Sequence, residues 1–213
     1  MPLFQFPAHV VFWKTVDDHD KIKAKYLPII RKNEEKTKNN KPFTACNFNT
    51  SIFTGTNFLD PNDKDFFQKV VWNPISDFMS EVEKKCGFTI NVVSSFVHNY
   101  WYNVYDVGDF QEQHDHAYMT ENVKGENYHP AFCLIYILHD ENHDNKTVFV
   151  SENNVPFRPI FVQERFDTSD IKDIKEGTVL IFSPHLAHLV KPVNFAGRTT
   201  IAFNVFSKFT SHS

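Results

Sequence analysis

The chain has 213 residues, 41% of them hydrophobic and 23% charged, with a formal net charge of −4. This is enough to bury one substantial core, and it excludes a surface basic enough to attract nucleic acid. No apolar run approaches the ~20 residues that a membrane-crossing helix needs.

The opening stretch MPLFQFPAHVVFWK has no basic leader and prolines interrupt its apolar residues, so a cytoplasmic chain is expected. Within it, HVVFWK reads as a short strand. A helix is expected from Asp17 to about Asn40, opened by Asp17 and Asp18, with Ile22, Tyr26, Ile29 and Ile30 at helical spacing and Pro28 kinking it. It ends in the solvated run NEEKTKNNK. Strand-like segments follow around Phe43 to Phe53. A second helix is expected to take Asp60 as N-cap and Pro61 as first residue, with Phe66, Phe67, Val70, Val71, Ile75, Phe78, Met79 and Val82 as its apolar stripe. Gly87 should close it, and Pro74 should kink or divide it.

From Phe88 the grammar changes to strands: FTINVVSSFVHNYWYNVY, AFCLIYIL, KTVFV, PFRPIFV, GTVLIFS and RTTIAFNVFSKF. Six such runs without intervening helices imply an antiparallel sandwich or barrel. The 23 Phe against six Gly suit aromatic packing between sheets. With no linker between the halves, the helices are expected to brace one β domain from outside. Cys46, Cys86 and Cys133 are odd in number, widely spaced and without a C-x-x-C pair. They therefore read as reduced, mostly buried thiols rather than as a disulfide framework or a cysteine zinc site.

The chemistry concentrates in three places. In a strand, His-x-His places two imidazoles on one side, so His114 and His116 could share a metal while Asp115 points away. Asp115 could replace His116 only if a bulge rotated the strand. A third histidine, His188, follows the buried run GTVLIFS within PHLAHLVKP. Ten residues later RTTIAFNVF alternates Arg198, Thr200, Ala202 and Asn204 against Thr199, Ile201, Phe203 and Val205. A guanidinium facing a barrel interior needs an anion, and its planar fork suits a carboxylate, from a ligand or from the chain's own Asp or Glu. His139 and His143 in LHDENHDN are expected to be solvated turn residues. The stretch AYMTENVKGENYHP is expected to be a mobile loop, with a substrate lid as the alternative.

In order and spacing, WYNVYDVGDFQEQHDH, FCLIYIL, GTVLIFSPHLAHLVKP and RTTIAFNVF resemble the iron(II)- and 2-oxoglutarate-dependent oxygenases. They resemble especially a bacterial and phage branch with W-x-N, H-x-H and F-x-N motifs. The resemblance spans residues 96–207 and implies a mainly β chain, a double-stranded β-helix (jelly roll) with N-terminal bracing α-helices. It implies one oxygenase domain, 1–213, in which 1–95 supply helical braces and flanking strands and 96–207 the core with the metal site. His114, His116 and His188 would hold Fe(II), with Asp115 as the alternative second ligand. Arg198 and Thr200 would bind the distal carboxylate of 2-oxoglutarate, and Asn103 would face that co-substrate with help from Tyr136. Dioxygen and an unknown small-molecule or peptidyl substrate would complete the reaction. Most such enzymes carry a carboxylate where this chain has His116, and three imidazoles leave the metal one positive charge higher. Two other readings share the residues: a cupin-like three-histidine metalloenzyme that does not use 2-oxoglutarate, and a non-catalytic β-sandwich binding protein. The spacing of Arg198 after His188 favours the oxygenase.

Overall fold

The computed structural model describes residues 10–40, 46–87, 92–117, 120–123, 125–144, 146–152 and 163–209. Two antiparallel sheets face each other as a double-stranded β-helix, and helices cover the outer face of the larger one. That sheet runs β1 (Val11–Thr15), β9 (Thr178–Phe182), β6 (Glu126–His139), β11 (Arg198–Phe209), β3 (Val92–Tyr105) and β2 (Asn49–Thr50), with β5 (Glu121–Val123) paired to the outer end of β6. The smaller sheet runs β4 (Gln111–His114), β10 (Ala187–Val190), β7 (Thr147–Glu152) and β8 (Gln163–Asp167). The expected strand PFRPIFV lies outside the described residues.

Alternation along the strands sorts side chains into two cores. Tyr102 and Val104 of β3, Phe132, Leu134, Tyr136 and Leu138 of β6, and Ile201, Phe203 and Val205 of β11 pack under the helices. Cys133, Ile135 and Ile137 face inward with Leu180 and Phe182, meeting Phe149 and Leu186 between the sheets. Phe48, Tyr105, Val190 and Val193 close one end of that space.

Helix α1 (His19–Thr37) occupies the expected span and buries Ile22, Tyr26 and Ile30. At its start Asp18 stands in the left-handed conformation without a side-chain cap bond, and its carboxylate instead pairs with Lys21 and Lys69. The second expected helix is divided into α2 (Lys64–Phe67), a π-helical turn over Gln68–Trp72, and α3 (Asn73–Cys86). The helix runs on without a break, and the change of register falls just before Pro74: a wider π turn, in which the Asn73 N–H reaches back to the Gln68 carbonyl, accommodates the residue that has no N–H to give the preceding turn. Asp63, rather than Asp60, caps α2 by accepting from the Phe66 N–H. Gly87 ends α3 in the left-handed conformation, as expected. Part of AYMTENVKGENYHP is a β5–β6 hairpin rather than a free loop, turning at Gly125 with φ 84°.

Candidate metal centre

Three imidazoles converge between the sheets. His188 on β10 is the register partner of His114 on β4, and their ring centroids are 4.2 Å apart. β4 ends at His114, so His116 does not reach the cluster along a strand as expected. Its N–H donates to the Pro184 carbonyl at 2.8 Å, and its ring turns inward to 5.4 Å from His114 and 5.3 Å from His188, centroid to centroid. One ring nitrogen from each histidine lies within 4.8 Å of the others. Asp115 turns outward, where its exposed carboxylate accepts from the Ala117 N–H at 3.1 Å.

A bulge is present, but it precedes His114. Val190 pairs with Gln111 while His188 pairs with His114, so three steps of β4 match two of β10. The extra residue inverts the alternation and brings Gln111 to the inner face beside His114. Gln111 Nε2 donates to His114 Nε2 at 3.3 Å, and its Oε1 accepts from the Tyr105 hydroxyl at 3.3 Å.

Each imidazole is fixed from behind. His114 Nδ1–H donates to the Glu112 carbonyl at 2.9 Å, His188 Nδ1–H to the Leu186 carbonyl at 3.3 Å, and His116 Nδ1–H to Asn204 Oδ1 at 2.7 Å. An oxygen acceptor requires Nδ1 to carry the proton, which leaves Nε2 of each ring as the basic nitrogen; those of His116 and His188 are available to a metal, and that of His114 becomes so when Gln111 turns away. Cys133 directs its S–H to the same Asn204 oxygen at 3.4 Å. Burial pushes the pKa of all three imidazolium forms downward: His114 falls below its ordinary range, His116 to about 4, and His188 well below its usual value. Mutual repulsion between the rings adds to the effect at His188. At neutral pH the cluster is therefore a set of uncharged bases, the form that metal coordination needs.

The opposite wall comes from the large sheet. Arg198 pairs in register with Tyr105, Thr200 with Asn103, and Ala202 with Trp101. All six line one inner slot together with the three histidines and Thr147. Arg198 is 2% exposed, its Nη2 donates to Thr147 Oγ1 at 3.2 Å, and its guanidinium stands 5.2 Å over the Tyr105 ring. The residue before it, Gly197, has φ 91°, and Arg31 of α1 donates to its carbonyl at 2.7 Å, so a bracing helix fixes the point where the arginine enters the barrel. Asn103 is 5% exposed, and its Oδ1 has no hydrogen-bond partner among the described residues. A buried acceptor of this kind costs about 1–3 kcal/mol until something donates to it.

Tyr136 is a correction. It belongs to the opposite face of β6, packed under the helices, where its hydroxyl lies 2.6 Å from His19 Nδ1. Its neighbours Ile135 and Ile137 point inward, so alternation itself removes Tyr136 from the slot. Tyr105 supplies the aromatic ring beside Arg198 instead. Tyr105, Gln111, Thr147 and Asn204 were not singled out from the sequence. Asn204 did share the face assigned to Arg198, which was the available signal. His143 stands in a turn with φ 52°, while His139 is tied to Glu176 at 3.0 Å and belongs to a helix-anchoring network rather than to a turn exposed to solvent.

A wider groove of about 450 Å³ opens outward from the triad and is bordered by Phe53, Tyr100, Trp101, Asp115 and Asn204. Gln111, His114 and His116 line both spaces, so the triad stands where slot and groove join. A metal held by three neutral imidazoles at this junction keeps open positions toward both.

No protein-family model matches the chain, and no curated protein does either. Solved structures do match. A Pseudomonas putida prolyl-4-hydroxylase aligns over 96% of this chain and 95% of its own, at 12% identity and a TM-score of 0.52. A prolyl hydroxylase from Trichoplax adhaerens, in complex with a hypoxia inducible factor peptide fragment, aligns over 91% and 82%, at 10% identity and a TM-score of 0.51. The non-heme alpha ketoglutarate dependent carbocyclase SnoK from nogalamycin biosynthesis aligns over 94% and 79%, at 12% identity and a TM-score of 0.51. At these identities the likeness is one of fold.

Proposed function

We propose that the chain is an Fe(II)- and 2-oxoglutarate-dependent oxygenase that hydroxylates a small-molecule or peptidyl substrate, with His114, His116 and His188 as the iron ligands. The observation that carries this reading is the connected arrangement of three back-bonded, neutral imidazoles and a slot that also holds the buried Arg198. A structural zinc site would have no use for the arginine, whereas a co-substrate with a distal carboxylate would.

The residues present fit both groups. One ring nitrogen from each of the three histidines lies within reach of one ion, that of His114 once Gln111 turns away. Arg198 and Thr200 would bind the C5 carboxylate, and the Asn103 Nδ2 amide would donate to an oxygen of the same molecule. The free space within the slot is about 20 Å³, room for roughly one water, so a five-carbon diacid requires side chains along it to turn aside, Gln111 foremost. The chemistry supplied when iron and 2-oxoglutarate are bound is activation of dioxygen coupled to loss of carbon dioxide from the keto acid, leaving succinate. The protein's part is orientation and exclusion of water, and no side chain needs to act as acid or base. The same reading takes residues 1–213 as one cytoplasmic domain, with 1–95 bracing and 96–207 bearing the site.

Anaerobic addition of Fe(II) and then 2-oxoglutarate tests it. A weak visible charge-transfer band is expected, with calorimetric binding of 2-oxoglutarate that weakens at least about tenfold in Arg198→Lys, since an ammonium cannot reproduce the two-pronged contact. No band and no binding would overturn the assignment.

A further inference from the structure

The outer groove has an electrostatic character set by one residue. Of the side chains bordering it, only Asp115 carries a formal charge, and no Lys or Arg reaches it among the described residues. Asp115 is exposed and has no ion-pair partner among the described residues; its one contact is the Ala117 N–H. Two aromatic rings border the groove with it. Trp101 lies 5.9 Å from His116, centroid to centroid, and Phe53 forms the rim, whereas the ring of Tyr100 packs on the helix side of β3 against Phe58 and Phe67.

Phe53 is placed at some cost. It is 81% exposed and its φ is 60°, a conformation that bulky residues rarely adopt. The loop is held there by its own bonds: the Thr54 N–H and hydroxyl both donate to the Ser51 carbonyl, and the Thr56 N–H donates to Thr54 Oγ1. Strain and exposure combined at the edge of a groove mark a contact surface.

The charge at the mouth gives the groove its preference. A dipositive ion, three neutral imidazoles, a dianionic keto acid and the Arg198 guanidinium would sum to +1, buried in the slot, while at the open mouth Asp115 is the one charged side chain among the described residues. Resting on the oxygenase reading, we propose that the groove takes a substrate bearing an ammonium or guanidinium group, paired with Asp115 and flanked by the rings of Phe53 and Trp101. Aromatic faces attract such cations, and an unpaired carboxylate beside them adds direction.

The test is equilibrium binding of Nα-acetyl-lysine methylamide and Nα-acetyl-arginine methylamide, with the norleucine and glutamate analogues as neutral and anionic references. It is run on the full chain, both metal-free and loaded with Zn(II) and 2-oxoglutarate. The cationic compounds are expected to bind about fivefold more tightly than norleucine in both forms, and less so as salt rises. Asp115→Asn keeps the turn to Ala117 and should erase the preference while leaving norleucine binding in place. Phe53→Ala should weaken the cations about two- to fivefold. Equal binding of lysine and norleucine analogues, preference for glutamate, no binding of any probe, or a preference untouched by Asp115→Asn would each overturn the proposal. 2-Oxoglutarate binding by the same preparation separates the two readings. If the keto acid binds and the cations show no preference, only the substrate class is wrong. If the keto acid fails while the metal-free chain still selects cations, it is the oxygenase reading that falls.

Discussion

Strands β3, β6 and β11 present two faces built from the same backbone. Toward the helices they show Tyr102, Val104, Leu134, Tyr136, Ile201 and Phe203, packed without a charge among them. Toward the slot the alternate positions show Asn103, Tyr105, Cys133, Arg198, Thr200 and Asn204. One face supplies apolar burial and the other holds polar groups at fixed spacing, so substitutions one residue apart should separate stability from binding.

The largest effect is expected at the triad. His116→Ala should lower Co(II) or Fe(II) affinity by more than the 10–100-fold typical of losing an outer hydrogen-bond partner, whereas Asp115→Ala should leave metal affinity within about twofold. Titration calorimetry on both variants checks this, and the reverse result would move the second ligand to Asp115. Next is the helix-facing side. Phe203→Ala removes a fully buried ring and should cost about 3–5 kcal/mol in denaturant unfolding, with metal affinity at low temperature little changed. Its neighbour should show the inverse pattern. Asn204→Ala should reduce metal affinity about 10–100-fold by freeing His116 to rotate, as read by calorimetry and by the imidazole nitrogen shifts in NMR.

These pairs also show which parts of the molecule were legible in the sequence. An antiparallel sandwich or barrel followed from successive strand runs and its jelly-roll form from the family resemblance, while the face shared by Arg198, Thr200 and Asn204 followed from alternation in RTTIAFNVF, where one side is plainly apolar. AFCLIYIL gave no such signal, because both faces of β6 are buried and every residue in the run is apolar or aromatic. Tyr136 was therefore placed on the wrong side. Gln111 was hidden for a different reason: its inward turn depends on a bulge that exists only in the pairing of β4 with β10. His116 reached the expected cluster by an unexpected route, through the Pro184 and Asn204 contacts beyond the strand end. Pairing partners distant in sequence decide such details, and local periodicity does not contain them.

Tyr136→Phe sharpens the contrast further. It deletes the hydroxyl beside His19 on the helix face and should cost about 1 kcal/mol of stability with no change in 2-oxoglutarate affinity. Asn103→Ala, on the slot face, should weaken 2-oxoglutarate binding without a comparable loss of stability, since its Oδ1 has no protein partner to lose among the described residues.

The smallest expected effect comes from the network that ties α1 to the large sheet. Glu176 accepts from Lys23, His19, His139 and the Asp140 N–H. Burial alone would raise its pKa, but the hydrogen bonds from Lys23, the Asp140 N–H and His19 outweigh it and draw Glu176 down to about 2 from an ordinary 4.5. A carboxylate more acidic in the folded state stabilises that state fully above the unfolded value, and its contribution disappears as pH falls from about 4.5 toward 2. Unfolding free energy should therefore decline across that window. In Glu176→Gln the decline should be shallower and the stability at neutral pH lower, because the amide keeps an acceptor for the Asp140 N–H and loses the charge that holds Lys23. An unchanged acid slope in this variant would place the acid sensitivity in other carboxylates and leave the anchoring of α1 to its apolar face.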